Sequence, residues 1–126
     1  MKYLVDTHIF LWWLNEEEQL KTSIKSILSD TDNIIYVSVV TAWEMSLKLR
    51  AKRKIKLKST IEDCFQKAGF EILDIRLPHV LQLAKLQDVH KDPFDRMLIA
   101  QANVEEATLI TGDEKIWKYD IPILRA

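Results

Sequence analysis

Five short apolar runs, separated by stretches with helical periodicity, constrain this sequence more than any other feature. Tyr3-Leu4-Val5, Ile34 to Ser38, Phe70 to Ile75, Ala107 to Ile110 and Ile121 to Leu124 read as strands, the second on its β-branched and aromatic content. Between them, Ile9 to Leu14 reads as a helix capped by Thr7, and Leu20, Ile24, Ile27 and Leu28 predict a second helix over residues 17–29. Thr41 and Glu44 have capping-box spacing and start a helix that runs to about Arg53. Ser59 or Thr60 opens another helix, which Gly69 closes. Pro78 starts a helix through Leu86, and Asp92-Pro93 starts one that ends near Glu106. The alternation predicts an α/β fold with a mainly parallel sheet of four or five short strands. With only two Gly and three Pro, few long loops are expected.

The 126 residues suit a single domain over 1–126, with enough chain to bury a real core. A formal net charge of -1 excludes global attraction to polyanions or membranes, so any such binding must come from local patches or from a metal. Cys64 is the sole cysteine, which excludes an intramolecular disulfide and a cysteine zinc site and fits a cytoplasmic location. The apolar stretch from Tyr3 to Leu14 is interrupted by Asp6 and His8, so neither a membrane segment nor a signal peptide is expected.

Four acids, Asp6, Glu44, Asp95 and Asp113, fall where a strand ends or a helix begins. In parallel α/β sheets ligands bind beyond the carboxyl ends of the strands, so the fold is expected to gather these acids at one edge. Two carboxylates about 4 Å apart repel by roughly 4 kcal/mol at an effective dielectric near 20. A divalent cation relieves that repulsion, and hard carboxylate oxygens suit Mg²⁺ or Mn²⁺. Such an ion next to a phosphodiester activates water and stabilises phosphoryl charge, so the residues themselves point to metal-assisted phosphodiester hydrolysis.

The segments around these acids resemble a known family. Leu4-Val5-Asp6-Thr7-His8 followed by Leu11-Trp12-Trp13-Leu14 is similar to the opening of PIN-domain ribonucleases, above all the toxins of VapBC toxin–antitoxin systems. Ala42-Trp43-Glu44-Met45 resembles their second acidic segment. His90 to Ala102, with Asp92-Pro93-Phe94-Asp95-Arg96, resembles the third, and Leu109-Ile110-Thr111-Gly112-Asp113 the fourth. The resemblance spans essentially the whole chain. It implies a three-layer α/β/α fold and a Mg²⁺- or Mn²⁺-dependent endoribonuclease that leaves 5′-phosphate and 3′-hydroxyl ends. It also implies a toxin that forms a homodimer and is silenced by a cognate antitoxin. Asp6, Glu44, Asp95 and Asp113 take the catalytic and metal-binding roles, and the hydroxyls of Thr7 and Thr111 hold an acid or a metal-bound water in orientation.

Asp92 reads as a helix cap and as a candidate fifth acid. His8, His79 and His90 read as structural or exposed, because a carboxylate site for Mg²⁺ has no need of imidazole. Arg96 and the basic run Lys48, Arg50, Lys52, Arg53, Lys54, Lys56 and Lys58 are candidates for RNA contact, with a solvated face as the plainer reading. Trp12, Trp13 and Trp43 read mostly as core. Two other functions fit less well. A binding module without turnover would depend on the basic run. An aspartyl phosphatase would need an acid two residues after Asp6, where His8 stands.

Overall fold

The computed structural model describes residues 1–51, 55 and 57–126. Its centre is a five-stranded parallel sheet in the order β3-β2-β1-β4-β5. The strands are β1 (Lys2–Val5), β2 (Ile34–Ser38), β3 (Glu71–Leu73), β4 (Thr108–Thr111) and β5 (Ile123–Arg125). The helices are α1 (Thr7–Leu14), α2 (Thr22–Ser29), α3 (Val39–Arg50), α4 (Ile61–Ala68), α5 (Leu77–Leu83) and α6 (Pro93–Glu105). Successive side chains of a strand point to opposite faces, and the central strands feed two cores accordingly. Tyr3, Val5 and Ile110 face a core built with Ile9, Phe10, Ile24, Leu28 and Phe65 of α1, α2 and α4. Leu4 and Leu109 face the other, built with Leu98, Ile99 and Ala102 of α6. The result is the expected α/β/α arrangement. Among the described residues, no helix is long and apolar enough to cross a membrane.

Phe10 anchors the first core: it is fully buried, and its ring meets Phe65 edge-on at 5.0 Å between centroids. Phe10→Ala is expected to cost about 3–5 kcal/mol, through lost transfer energy and the cavity left behind. Urea unfolding measures this. A loss below about 1 kcal/mol would mean the core collapses around the gap.

The local reading needs several corrections. Asp6, not Thr7, caps α1, since its side chain accepts the Ile9 N–H at 2.9 Å. The second helix begins at Thr22, and the third strand is shortened to Glu71–Leu73. The cap of α3 is Ser38, whose hydroxyl accepts the Val40 N–H at 3.0 Å. The helix follows the strand with no intervening loop, so Thr41 and Glu44 lie beyond the capping positions and are free for another use. α3 ends at Arg50, and the continuation to Arg53 lies outside the described residues, as do Lys52, Lys54 and Lys56. Thr60 and Gly69 close the two ends of α4 as expected, the glycine at φ 69°, a left-handed conformation that costs Gly least.

Candidate active site

The chain runs from β1 outward to β2 and β3, then returns to place β4 on the other side of β1. This reversal opens a crevice at the carboxyl ends of β1 and β4, where ligands bind in open α/β sheets. Asp6 follows β1 directly, and Thr111-Gly112-Asp113 is the exit from β4. The Asp6 N–H continues the pairing beyond the strand, donating to the Ile110 carbonyl at 3.1 Å.

Asp6 is buried, with one oxygen used as the α1 cap. Burial raises its pKa to about 6, against hydrogen bonds from the Thr111 hydroxyl and the Ile9 N–H, and the charges of Glu44 and Asp113 raise it further. Those electrostatic couplings put Asp6, Glu44 and Asp113 in one neighbourhood. The Thr7 hydroxyl donates to Glu44 Oε1 at 2.7 Å and meets the Thr41 hydroxyl at 3.1 Å, joining α1 to α3. Thr41 therefore serves this junction and not the helix cap.

Asp95 stands in the first turn of α6, after the cap made by Asp92, which accepts the N–H groups of Phe94 and Asp95 at 2.9 and 3.1 Å. Partial burial lifts the Asp95 pKa to about 6, opposed by a hydrogen bond from His90 and aided by the charges of Asp92 and Asp6. Asp92 thus acts on the site as a fixed charge behind Asp95. The Asp113 N–H donates to the Thr111 hydroxyl at 3.0 Å, and its Oδ1 accepts the Lys115 N–H at 2.9 Å. Thr111 therefore bonds both the first and the last acid.

Two basic side chains of the protein enter the cluster. Lys48 Nζ lies 3.0 Å from Glu44 Oε2, one turn along α3. His90 is buried, and its Nε2 lies 2.8 Å from Asp95 Oδ2 and 3.4 Å from Asp113 Oδ2. His90, expected to be structural or exposed, is buried and touches two of the acids. It lies only five residues before Asp95, but its contact with Asp113 depends on the packing of α6 against β4, which no local pattern encodes. The other two histidines keep the expected roles: His8 is exposed, and His79 is buried against Glu105 at 2.7 Å. Asp6 has no cationic partner among the described residues. Among the described residues, His90, Asp95 and Asp113 bring donor atoms within 4.8 Å of one another, and Asp6 and Glu44 are coupled electrostatically to this group; hard carboxylate oxygens of this kind fit a divalent ion.

The remaining candidates are distributed differently. One guanidinium nitrogen of half-buried Arg96, Nη1, turns inward, donating to the Gln87 carbonyl at 2.9 Å and to the His90 carbonyl and Tyr119 hydroxyl at 3.3 Å. It fastens the loop that carries His90. Lys48 and Arg50 line an open groove of about 550 Å³ beside the acids, with Glu44, Leu47, Asp92 and Phe94. Trp43 is not core: it is 53 % exposed and meets Phe94 edge-on at 4.8 Å. Trp12 and Trp13 are half-buried against the first core.

Gln101, fully buried on α6, links the supporting elements. Its Oε1 accepts the Ser38 hydroxyl at 2.6 Å, and its amide donates to the Asp74 carbonyl at 3.3 Å. It ties the helix of Asp95 to the start of the helix of Glu44. Sequence spacing gave no signal for this pairing, 63 residues apart.

No curated protein matches the chain at a significant level. Among solved structures it is similar to VapBC2 from Rickettsia felis bound to a DNA fragment from its promoter: TM-score 0.71, 17% identity, 99% of this chain and 98% of that one covered. It is also similar to VapBC-1 from nontypeable Haemophilus influenzae, with TM-score 0.70, 16% identity and 99% and 98% of the two chains covered. VapBC-5 from Mycobacterium tuberculosis, of the VapBC family of toxin–antitoxin systems, gives TM-score 0.65 and 15% identity over 99% and 98%. At such identities these likenesses establish a shared fold. The family model described as PIN domain matches residues 3–122, nearly the whole chain, and with it the β1 and β4 exits that carry the acids. This chain belongs to the PIN domain family.

Proposed function

We propose that this protein is a Mg²⁺- or Mn²⁺-dependent endoribonuclease and the toxin of a toxin–antitoxin pair. The observation that carries the reading is the convergence of Asp6, Glu44, Asp95 and Asp113 at the β1–β4 crevice, with Asp6 and Asp95 both raised to about 6. Asp6, Glu44, Asp95 and Asp113 would hold the ion. When bound, it supplies Lewis-acid stabilisation of phosphoryl charge and an acidified water. The chain's own groups do the rest. Thr7 holds Glu44 through its 2.7 Å hydrogen bond, and Thr111 orients Asp6 and the backbone of Asp113. Lys48 and Arg50 in the adjoining groove meet the phosphate backbone, and exposed Trp43 offers a face for an unstacked base.

The toxin role is supported by the VapBC proteins that share the fold. An antitoxin and a second copy of the chain are its protein partners in this reading. Leu77, Val80 and Leu81 of α5, exposed by 68%, 45% and 58%, give apolar surface for such contacts. Free of antitoxin, the protein should cleave single-stranded RNA with Mg²⁺ or Mn²⁺ and stop on chelation. Asp95→Asn should reduce the rate about 10²–10³-fold while remaining folded, because an amide neither carries the charge nor binds the ion as a carboxylate does. RNA binding that persists in chelator, with no cleavage under any ion, would replace this reading with a binding module.

A further inference from the structure

We propose that His90 is a direct ligand of the metal ion, completing a site with Asp95 and Asp113 and biasing it toward Mn²⁺ over Mg²⁺. The inference deepens the metal-dependent reading and rests on it. Its ground is the position of one imidazole nitrogen. His90 Nε2 lies 2.8 Å from Asp95 Oδ2 and 3.4 Å from Asp113 Oδ2, and one donor atom from each of the three residues falls within 4.8 Å of the others. Neighbouring ligands on an octahedral ion with bonds of about 2.1 Å are ~3.0 Å apart, the separation these donors already straddle. An ion can therefore replace the contacts among the three side chains without drawing any of them far.

The backbone of His90 is held there by contacts that do not involve the acids. The His90 N–H donates to the Tyr119 hydroxyl at 2.9 Å, and its carbonyl accepts from Arg96 at 3.3 Å. The same Tyr119 hydroxyl donates to the Gln87 carbonyl at 3.1 Å. Arg96 and Tyr119 thus pin both ends of the loop, and the residue reaches the crevice with its backbone already placed. These two are positioning residues; His90 is the one that touches the ion.

Imidazole changes which ion is preferred. Nitrogen donors favour borderline ions such as Co²⁺ and Zn²⁺ most; Mn²⁺ is hard but, as a transition-metal ion, accepts an imidazole more readily than Mg²⁺, which selects oxygen and water. A site of carboxylates alone would discriminate weakly between Mg²⁺ and Mn²⁺; one nitrogen tilts it to Mn²⁺. The rival role for His90 is a counter-charge that pairs with the acids until an ion displaces it. The two roles predict opposite effects of its removal, since losing a ligand weakens binding and losing a competing cation strengthens it.

The test uses the whole protein, stripped of metal and free of RNA. Pulsed electron paramagnetic resonance of bound Mn²⁺ should show nitrogen hyperfine coupling in the wild type and lose it in His90→Asn. Calorimetric titration should show Mn²⁺ binding weakened about 100-fold in His90→Asn, because even partners one step behind a ligand cost 10–100-fold, while Mg²⁺ changes less than about threefold. Should His90→Asn fold poorly, the wild-type spectrum alone decides. Mn²⁺ bound by oxygen only, or both ions bound more tightly by His90→Asn, would overturn the ligand role and leave the nuclease reading standing. Failure of either ion to bind the wild type at all would overturn both.

Discussion

Asp6→Asn is expected to abolish RNA cleavage, by about 10³-fold, and at the same time to make the protein harder to unfold. Asp6 is buried at the β1–β4 crevice, and its pKa is raised from 3.8 to about 6, chiefly by burial. An acid whose folded pKa is raised destabilises the fold once it ionises. The penalty is absent below pH ~4, where folded and unfolded carboxyls are both protonated, and complete above pH ~6. At about 1.4 kcal/mol per pH unit, the shift amounts to about 3 kcal/mol at neutral pH. Asparagine keeps an oxygen to accept the Ile9 N–H and cap α1, so the substitution removes the charge without removing the cap. Urea unfolding at pH 7 should show a gain of about 1–3 kcal/mol that disappears near pH 4. A gain of equal size at both pH values would mean that ionisation is not its source. Wild-type cleavage by Asp6→Asn would remove Asp6 from the site.

The ion and the proton should compete, and the effect of pH on metal binding should be large. Asp6 and Asp95 both titrate near pH 6 in the metal-free fold, each raised mainly by burial and in part by neighbouring carboxylates. Both must lose a proton before they ligate. Below pH ~6 each costs up to about tenfold in apparent affinity per pH unit, or about 100-fold for the pair. Without an ion, the contribution of these two acids to stability falls as pH rises through the window from about 4 to 6. With saturating Mn²⁺ or Mg²⁺ the trend should reverse, since binding to the native state adds RT ln(1 + [L]/Kd). Melting temperatures with and without the ion should therefore diverge between pH 5 and pH 7.5. A thermal shift that is the same at both ends of that range would mean that protons and metal do not share these groups.

Acids brought together need positive charge, and the residue types in the sequence point to a metal as its source. The structure supplies one lysine charge and one imidazole from the chain. Lys48 pairs with Glu44 at 3.0 Å, and His90 lies between Asp95 and Asp113. Lys48 opens the basic run that suggests RNA contact, and one helical turn also brings it onto an acid of the site while it lines the adjoining groove. Arg96, a candidate RNA contact from its place beside Asp95, also turns one guanidinium nitrogen to carbonyls of the His90 loop. Sequence adjacency reveals these charges but not what each touches, which depends on what packs against the helix. The capping box at Thr41 and Glu44 fails for a related reason. The spacing is right, but Ser38 caps the helix first because β2 runs into α3 without a loop.

Periodicity by itself determined a good deal. It located the five strands to within a few residues, and the start of α6 at Asp92-Pro93 follows from local chemistry, since proline removes an N–H that the first turn does not use. The family and the four acidic segments were also legible, because they consist of residue types in order along the chain. Strand order was not. β1 lies between β2 and β4, whose pairing partners are more than 30 and 100 residues away in the chain, and nothing in the apolar runs specifies those neighbours. That order creates the crevice, gathers Asp6 with Asp113 and carries His90 to both Asp95 and Asp113. Short-range patterns record which face of an element is buried. Which buried faces meet is decided by the packing of the whole chain, and the electrostatics of the site follow from that packing.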